Sequence, residues 1–162
     1  MSLEKPYKAR FESLKSSGSI TYFRARLLGR DHRLNGTLIF KEDMGNNFVV
    51  SVESYNDATG SGNYKQTLYS ASKIPFCQFI DTYWKYFAPS MEFGKNTDVP
   101  FINHTCPIPK GEYYVKDVII KTDGWPYVMP RGFFKAVCTV QRDDEIVSST
   151  ELIVSFTDRT GN

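Results

Sequence analysis

The feature that most constrains the fold is a series of short segments rich in β-branched and aromatic residues, separated by clusters of turn-forming residues. Side chains in a β-strand point alternately to the two faces of a sheet, so an apolar residue at every second position marks a half-buried strand. Closely spaced strands with turn residues between them are typical of antiparallel sheets. Six strands are predicted: Ile20–Leu28, Thr37–Lys41, Phe48–Tyr55, Tyr113–Lys121, Phe133–Gln141 and Ile146–Phe156.

The last two predicted strands alternate most regularly, and their apolar faces are expected to point inward. The connection between them, Arg142-Asp143-Asp144-Glu145, has the composition of a solvated hairpin turn. It lacks the alternating oxygen ligands and terminal Glu of a calcium-binding loop. The inward-facing residues are Phe134, Ala136, Cys138 and Val140 in the fifth strand and Leu152, Val154 and Phe156 in the sixth.

One segment, Cys77 to Phe87, has the periodicity of a helix instead. Asp81 and Lys85 form an i, i+4 pair on one side, and the aromatic residues recur at helical spacing on the other. Hairpins before and after this helix favour a sandwich over alternating βαβ units, which would require more helices. The predicted fold is therefore mainly β: an antiparallel two-sheet β-sandwich with one short helical insertion.

Length and charge limit the domain count and the partners. A chain of 162 residues that is 41% hydrophobic suits one domain, spanning residues 1–162, with a real core. Its 20 basic and 18 acidic residues are spread along the chain, so no nucleic-acid partner is expected. No run of 18 apolar residues occurs, so no integral membrane segment is expected.

No grouping of catalytic residue types is found in the sequence. His104 lies two residues before Cys106, but Pro107 follows and no Gly-rich turn adjoins to stabilise an oxyanion. The only other histidine, His32, lies in a polar loop without a second ligand at metal-binding spacing. We therefore expect no enzymatic activity, no metal site and no cofactor.

Three motifs carry a resemblance to a known family: Phe76-Cys77-Gln78-Phe79, the run from Asn103 to Tyr114 that reads NHTCPIPKGEYY, and Pro130 to Ala136. With these motifs the stretch from Asn35 to Val140 resembles the insect family of chemosensory B-type proteins, distantly similar to the GM2-activator and MD-2-related lipid-recognition proteins. The resemblance implies a secreted, lipid-recognition-like sandwich whose two sheets splay apart around a lipid or other long apolar molecule. In some members it is linked to contact chemosensation of pheromones.

The resemblance and the strand periodicity together suggest which residues would contact such a ligand. Ordinary core packing, without a cavity, is the alternative for each of them. Aromatic residues of the helix are candidates for a lid or mouth. The candidate ligand-binding residues are Phe40, Val50, Val52, Ile119, Phe134, Ala136, Leu152 and Val154, with Tyr83, Trp84 and Phe87 at the mouth.

The chain has three cysteines, so one thiol is left over if two of them pair. Cys138 lies on an inward strand face, where a free cysteine behaves as a small buried hydrophobe. A disulfide between Cys77 and Cys106, at the two ends of the helical region, is therefore predicted and would close a loop of about 30 residues. The alternatives are reduced cysteines in a cytosolic protein and a reactive or dimer-forming Cys138.

Two sequons, at Asn35 and Asn103, are compatible with N-glycosylation in a secreted protein. Residues Met1 to Gly18 are too polar for a signal peptide, and Met1-Ser2-Leu3 is compatible with an expression scar in place of a removed leader. Together with the resemblance, the sequons favour an extracellular location.

The leading hypothesis is a secreted, non-enzymatic carrier of a lipid or long-chain apolar ligand, with a membrane receptor as a further candidate partner. The alternative from another class is an extracellular protein–protein interaction module with a solid core, which recognises its partner through exposed aromatic residues. A third hypothesis is presentation of a lipid to a separate hydrolase.

Overall fold

The computed structural model describes residues 4–100 and 105–159 and contains two antiparallel sheets and one helix, which confirms the predicted β-sandwich. The elements in chain order are β1 (Tyr7–Gly18), β2 (Thr21–Leu28), β3 (Arg33–Phe40), β4 (Val49–Asp57), β5 (Lys65–Gln66), β6 (Ala71–Pro75), α1 (Phe76–Phe87), β7 (Gly111–Val118), β8 (Gly132–Arg142) and β9 (Glu145–Asp158).

The two sheets differ in size. The larger has the strand order β1-β9-β8-β4-β5, with β6 also paired to β4, and the smaller has the order β2-β3-β7. The sheets are joined where β1 leads into β2. There the Thr21 N–H donates to Ser148 Oγ of β9 at 2.7 Å, and the Phe23 N–H donates to Ser16 Oγ of β1 at 3.0 Å. One side of the sandwich is therefore closed by hydrogen bonds between the sheets.

The connection between β8 and β9 is a two-residue hairpin turn, as predicted. Arg142 pairs with Glu145, and the two residues between them, Asp143 and Asp144, have φ values of 52° and 64°. Two successive residues in the left-handed region define the turn type whose twist matches that of the flanking strands. Asp tolerates this conformation better than most residues, which explains why the sequence can turn here without glycine.

Three strands were not predicted, and one prediction was too long. In β1 the alternation is broken by a bulge between Phe11 and Ser13, so its strand state depends on pairing with β9 and not on a local pattern. β5 and β6 are short edge strands. The strand β7 ends at Val118, just after Asp117 adopts a φ of 49°. Ile119, predicted to lie on this strand, therefore lies beyond its end.

The helix α1 follows β6 directly and begins at Phe76, one residue before the predicted start. Its first N–H groups have no partners within the helix, so other groups must satisfy them. The Phe76 N–H donates to the Phe48 carbonyl at 2.9 Å, and the Cys77 N–H donates to Asn46 Oδ1 at 3.0 Å. The predicted disulfide between Cys77 and Cys106 is confirmed, with the Cα atoms 5.7 Å apart. The start of the helix is thus fixed covalently and by hydrogen bonds.

The buried apolar residues other than Ile39 fall into three separate clusters. The largest surrounds the disulfide, and we call it the stapled end. The second, the distal cluster, consists of Tyr7, Val154 and Phe156. The third consists of Leu34, Val115 and Val118, beneath the smaller sheet. The stapled end is formed by Ile20, Phe40, Met44, Phe48, Val50, Phe76, Val99, Ile108 and Val140.

Candidate ligand-binding interior

The inner face of the larger sheet carries a continuous apolar surface. Strand register places Val52 of β4 opposite Cys138 of β8, and Ala136 of β8 opposite Leu152 of β9. Phe134 lies two residues from Ala136 on the same face. These five residues, Val52, Phe134, Ala136, Cys138 and Leu152, are called the inner strip. The predicted inward faces of β8 and β9 are therefore brought together across adjacent strands.

The inner strip connects two of the buried clusters. Val52 and Cys138 pack against the stapled end, whereas Phe134 and Leu152 pack against the distal cluster. Ala136 lies between these pairs along β8. The strip thus runs lengthwise through the sandwich, along the direction that an elongated ligand would take.

Residues of the inner strip remain partly exposed although their strands are not at a sheet edge. β8 lies between β4 and β9, yet Phe134, Ala136 and Cys138 all retain accessible surface. At the two ends of the same face, by contrast, Val50 is 1% exposed and Val154 is 5% exposed. The side chains of the strip lie on the face toward the smaller sheet, and their accessible surface shows that this sheet does not cover them completely.

The facing residues of the smaller sheet behave in the same way. Leu38 and Tyr113 pack against the stapled end, and Phe23 and Leu27 pack against the third cluster, but all four are only partly buried. Incomplete burial on both inner faces is what separated sheets produce. Closely packed sandwiches interdigitate these side chains across a core about 10 Å thick.

Cys138 has an environment that is both deep and accessible. It lies outside the disulfide, as predicted, but it is partly exposed, whereas the sequence predicts a buried thiol. Loss of hydration on burial nevertheless raises the pKa of its thiol to about 11. A thiol with surrounding protein on all sides and residual accessible surface is expected at the wall of an apolar space.

The helix α1 spans the distance between the stapled end and the distal cluster. At its start Phe76 is buried in the stapled end, and Phe79, in the first turn, packs against the same cluster. Near its end the Trp125 indole N–H donates to the Tyr86 carbonyl at 2.8 Å. Trp125 in turn packs against Phe156 of the distal cluster, with ring centroids 6.2 Å apart. The helix therefore runs parallel to the length of the interior that the inner strip lines.

The three aromatic residues proposed for the mouth occupy the second half of this helix. Tyr83 contacts Phe79 one turn earlier, with ring centroids 5.0 Å apart, and is partly buried. Trp84 is also partly buried, whereas Phe87 is 44% exposed. Exposure therefore increases along the helix, from the buried Phe76 to the exposed Phe87. Ligand contact by these residues stays a prediction.

The remaining candidates have different surroundings. Phe40 is 5% exposed and contacts the rings of Phe76 and Tyr113, so its position agrees with core packing as well as with ligand contact. Ile119 does not lie on the inner face. It lines a polar cavity beyond the end of β7, together with Lys116 and Lys121. The strand periodicity could not indicate this displacement, because it arises where β7 ends.

Of the two sequon asparagines, Asn35 lies within the described residues. The Asn35 side chain lies on β3, where its Nδ2 donates to the Arg33 carbonyl at 3.2 Å and its Oδ1 accepts the Asp117 N–H at 3.1 Å. A glycan on Nδ2 would have to coexist with these contacts. Asn103 lies outside the described residues. Modification of either residue stays a prediction.

Within residues 4–100 and 105–159, no group of three or more His, Cys, Asp or Glu side chains has a geometry that could hold a metal ion. His32 Nδ1 lies 2.7 Å from the Phe11 carbonyl and 3.6 Å from Glu12 Oε2, a contact that ties a loop to β1. His104 lies outside this part of the chain. None of the helices in the described ranges has the length and apolar character needed to span a bilayer.

Comparison with known families identifies a match over the middle of the chain. A family model described as "Protein of unknown function (DUF1091)" matches residues 48–136, which is more than half of the chain. The matched region runs from β4 through α1 to the first half of β8, and so contains the disulfide and much of the inner strip. No curated protein shows significant similarity to the chain.

Proposed function

The chain belongs to the family described as proteins of unknown function (DUF1091), and from its geometry we propose a function. It is a non-enzymatic carrier that binds a lipid or long-chain apolar ligand between its two sheets. The observation that supports this most directly is the partial exposure of the inner strip in the middle of the larger sheet. Apolar side chains at a sheet centre normally exclude water completely, and a ligand would complete their burial.

Binding of this kind would be driven by removal of apolar surface from water. Each buried methylene contributes roughly 0.8 kcal/mol, so ten methylenes of an acyl chain contribute about 8 kcal/mol. Association costs at least about 4 kcal/mol in lost translational and rotational freedom. A flexible chain of this length is therefore needed for useful affinity, which agrees with the lengthwise course of the inner strip.

The proposed location is extracellular. Disulfides persist in oxidising compartments, and the Cys77–Cys106 bond supports secretion on that ground. The resemblance to chemosensory B-type proteins, and more distantly to the GM2-activator and MD-2-related proteins, supports the same location and a role in contact chemosensation. Delivery of the ligand to a membrane receptor, or presentation of a lipid to a hydrolase, would be the next step after binding.

A protein–protein interaction module is the second candidate function, and a separate observation favours it. Large apolar side chains are exposed in two loops: Leu68 is 99% and Tyr69 64% exposed between β5 and β6, and Tyr127 is 54% and Val128 76% exposed between β7 and β8. Exposed residues of this type mark interaction surfaces when they form a patch. Such a role does not require space between the sheets.

The substitution Ala136→Phe distinguishes these functions, because Ala136 is the smallest side chain of the inner strip. A benzyl group at this position would fill ligand space, so we expect at least tenfold weaker binding of a neutral fluorescent probe, N-phenyl-1-naphthylamine, with less than about 1 kcal/mol change in the free energy of unfolding. In a solid core the same change would overpack the interior and typically cost about 1–3 kcal/mol. Probe titration and urea unfolding measure the two quantities.

The matched control is Val137→Phe, one residue along the same strand and on the opposite face of the sheet. It should leave probe binding unchanged. Native mass spectrometry of the purified wild-type protein should also reveal co-purified apolar molecules. Absence of saturable probe binding by the wild-type protein, or equal effects of the two substitutions on binding, would rule out the carrier proposal and leave the interaction module.

A further inference from the structure

A cationic cavity lies outside the sandwich interior, at the end of the smaller sheet. Its volume is about 340 Å³, and its walls come from the start of β3, the segment after α1 and the end of β7. We call it the basic cleft. The side chains that determine its chemistry are Arg33, Lys95, Lys116, Asp117, Ile119 and Lys121.

The basic cleft concentrates positive charge in a chain that is nearly neutral. Four cationic side chains against the single carboxylate of Asp117 leave a formal charge of +3 in the cleft, whereas the whole chain carries +2. Within the described residues, neither Lys116 nor Lys121 has a carboxylate oxygen within 4.0 Å. Two ammonium groups thus face the cleft without a counter-ion from the protein.

The other two cations are only loosely neutralised. Arg33 Nε lies 2.9 Å from Asp31 Oδ2, and this contact leaves the two terminal nitrogens of the guanidinium as donors. Lys95 Nζ lies 3.9 Å from Glu92 Oε2, and both side chains are more than 60% exposed. Exposed ion pairs of this kind contribute little and are readily exchanged for a better acceptor.

The backbone around the basic cleft is held in place by hydrogen bonds between its three walls. The Asn96 main-chain carbonyl accepts the Lys116 N–H at 2.7 Å, and the Asn96 side-chain amide donates to the Lys116 carbonyl at 3.0 Å. Ser90 Oγ accepts the Lys121 N–H at 2.8 Å. The Asp117 N–H donates to Asn35 Oδ1. Cations attached to a fixed frame need less reorganisation when they bind an anion.

We propose that the basic cleft binds a phosphate group carried by a small organic molecule or by a lipid headgroup. Ammonium and guanidinium groups are the usual protein ligands of phosphate. A cleft lined by one sign of charge also raises the local concentration of oppositely charged ligands. The cleft holds the equivalent of roughly ten water molecules at about 30 Å³ each, more than a bare phosphate needs. Ile119 provides apolar contact for the organic part.

This site is independent of the proposed apolar ligand. The residues of the inner strip lie between the sheets, whereas the side chains of Lys116 and Lys121 are exposed at the outer end of the smaller sheet. A neutral probe in the interior and a phosphate in the basic cleft can therefore be measured separately in the same protein.

The double substitution Lys116→Gln/Lys121→Gln removes the two unpaired charges and keeps a polar side chain that is only one atom shorter. Its matched control is Lys15→Gln/Lys65→Gln, which changes the net charge equally at exposed positions on β1 and β5 of the other sheet. Binding of glycerol 3-phosphate and of inorganic phosphate would be measured by calorimetry at low ionic strength. Binding to vesicles of phosphatidylcholine, with and without phosphatidic acid, would be measured by sedimentation.

We expect glycerol 3-phosphate to bind the wild-type and control proteins with similar affinity. Its affinity for the cleft variant should be at least tenfold lower, because two charge-assisted contacts are lost. That result supports a soluble phosphate ester as the ligand. Vesicle binding that requires phosphatidic acid and is lost only in the cleft variant supports a lipid headgroup. No saturable binding of any probe by the wild-type protein below 10 mM, or equal weakening in the two variants, would overturn the proposal.

Discussion

The stapled end and the inner strip both consist of apolar side chains, but they differ in packing. At the stapled end Met44, Phe48 and Ile108 are 0% exposed, and a disulfide crosses the cluster's border. In the inner strip, Phe134 and Cys138 are partly exposed. A residue's hydrophobicity therefore does not determine its burial here. Its position in the sandwich does.

This difference shows how a small sandwich can be stable although part of its inner surface stays accessible. Completely buried aromatic side chains make the largest contributions to stability, and they lie at both ends of the sandwich, with Phe48 at the stapled end and Tyr7 and Phe156 in the distal cluster. Incompletely buried residues contribute less, because part of their surface stays in contact with solvent or ligand. The most stabilising contacts are therefore expected on either side of the inner strip, and the strip itself stays partly accessible.

The largest expected effect comes from replacing one phenylalanine in each region by alanine and comparing the losses of stability. Phe48→Ala at the stapled end should lower the free energy of unfolding by about 3–5 kcal/mol, as for fully buried phenylalanines. Phe134→Ala in the inner strip should cost clearly less, because its ring is already partly exposed. Chemical denaturation of both variants measures the difference. Equal losses would mean that the two regions are packed alike.

The next effect concerns α1, the helix between the stapled end and the distal cluster. Trp84→Ala should cost about 2 kcal/mol, below the range for a fully buried tryptophan, and should change the association rate of the neutral probe several-fold. Stopped-flow fluorescence and thermal unfolding provide the two measurements. Phe93→Ala, at a 50% exposed position after the helix, is the control and should change neither. A stability loss of 3 kcal/mol or more with unchanged association would make Trp84 a packing residue.

The smallest effect is restricted to high pH. Burial raises the folded-state pKa of Cys138 to about 11, above the ordinary thiol value, so the folded protein holds a proton that the unfolded chain releases. The stability contributed by this group is complete below about pH 9 and is lost as the pH rises toward 11. Wild-type protein should therefore lose about 1–2 kcal/mol more than Cys138→Ala between pH 8.5 and 10.5, by denaturation at each pH. Parallel pH profiles would indicate a hydrated thiol.

Features with a local sequence signal were predictable. The helix was found because Ile80, Tyr83 and Phe87 recur at its period, and the β8–β9 hairpin because Asp143 and Asp144 interrupt two alternating strands. The inward faces of β8 and β9 followed from the same alternation. Each of these signals spans only a few consecutive residues, so no knowledge of the rest of the chain was needed.

Features that depend on distant segments were missed. The strand β1 is defined by its pairing with β9 at the other end of the chain. Lys95, Lys116 and Lys121 look like ordinary solvated lysines in the sequence, and only the end of β7 and the segment after α1 bring them together with Arg33. The even spread of charge along the chain concealed this local concentration. The separation of the sheets likewise has no counterpart in any single segment.

The strand order has a consequence for the behaviour of the protein at high concentration. Unpaired sheet edges can template aggregation, and charged residues, bulges and short strands are the usual protection. The edge strand β1 carries Lys8 and Lys15 around its bulge, and β2 carries Arg24 and Arg26. At the opposite edges β5 is two residues long, and the main chain at Asn96 covers β7. A sandwich protected in this way can reach a high concentration without pairing with its own copies.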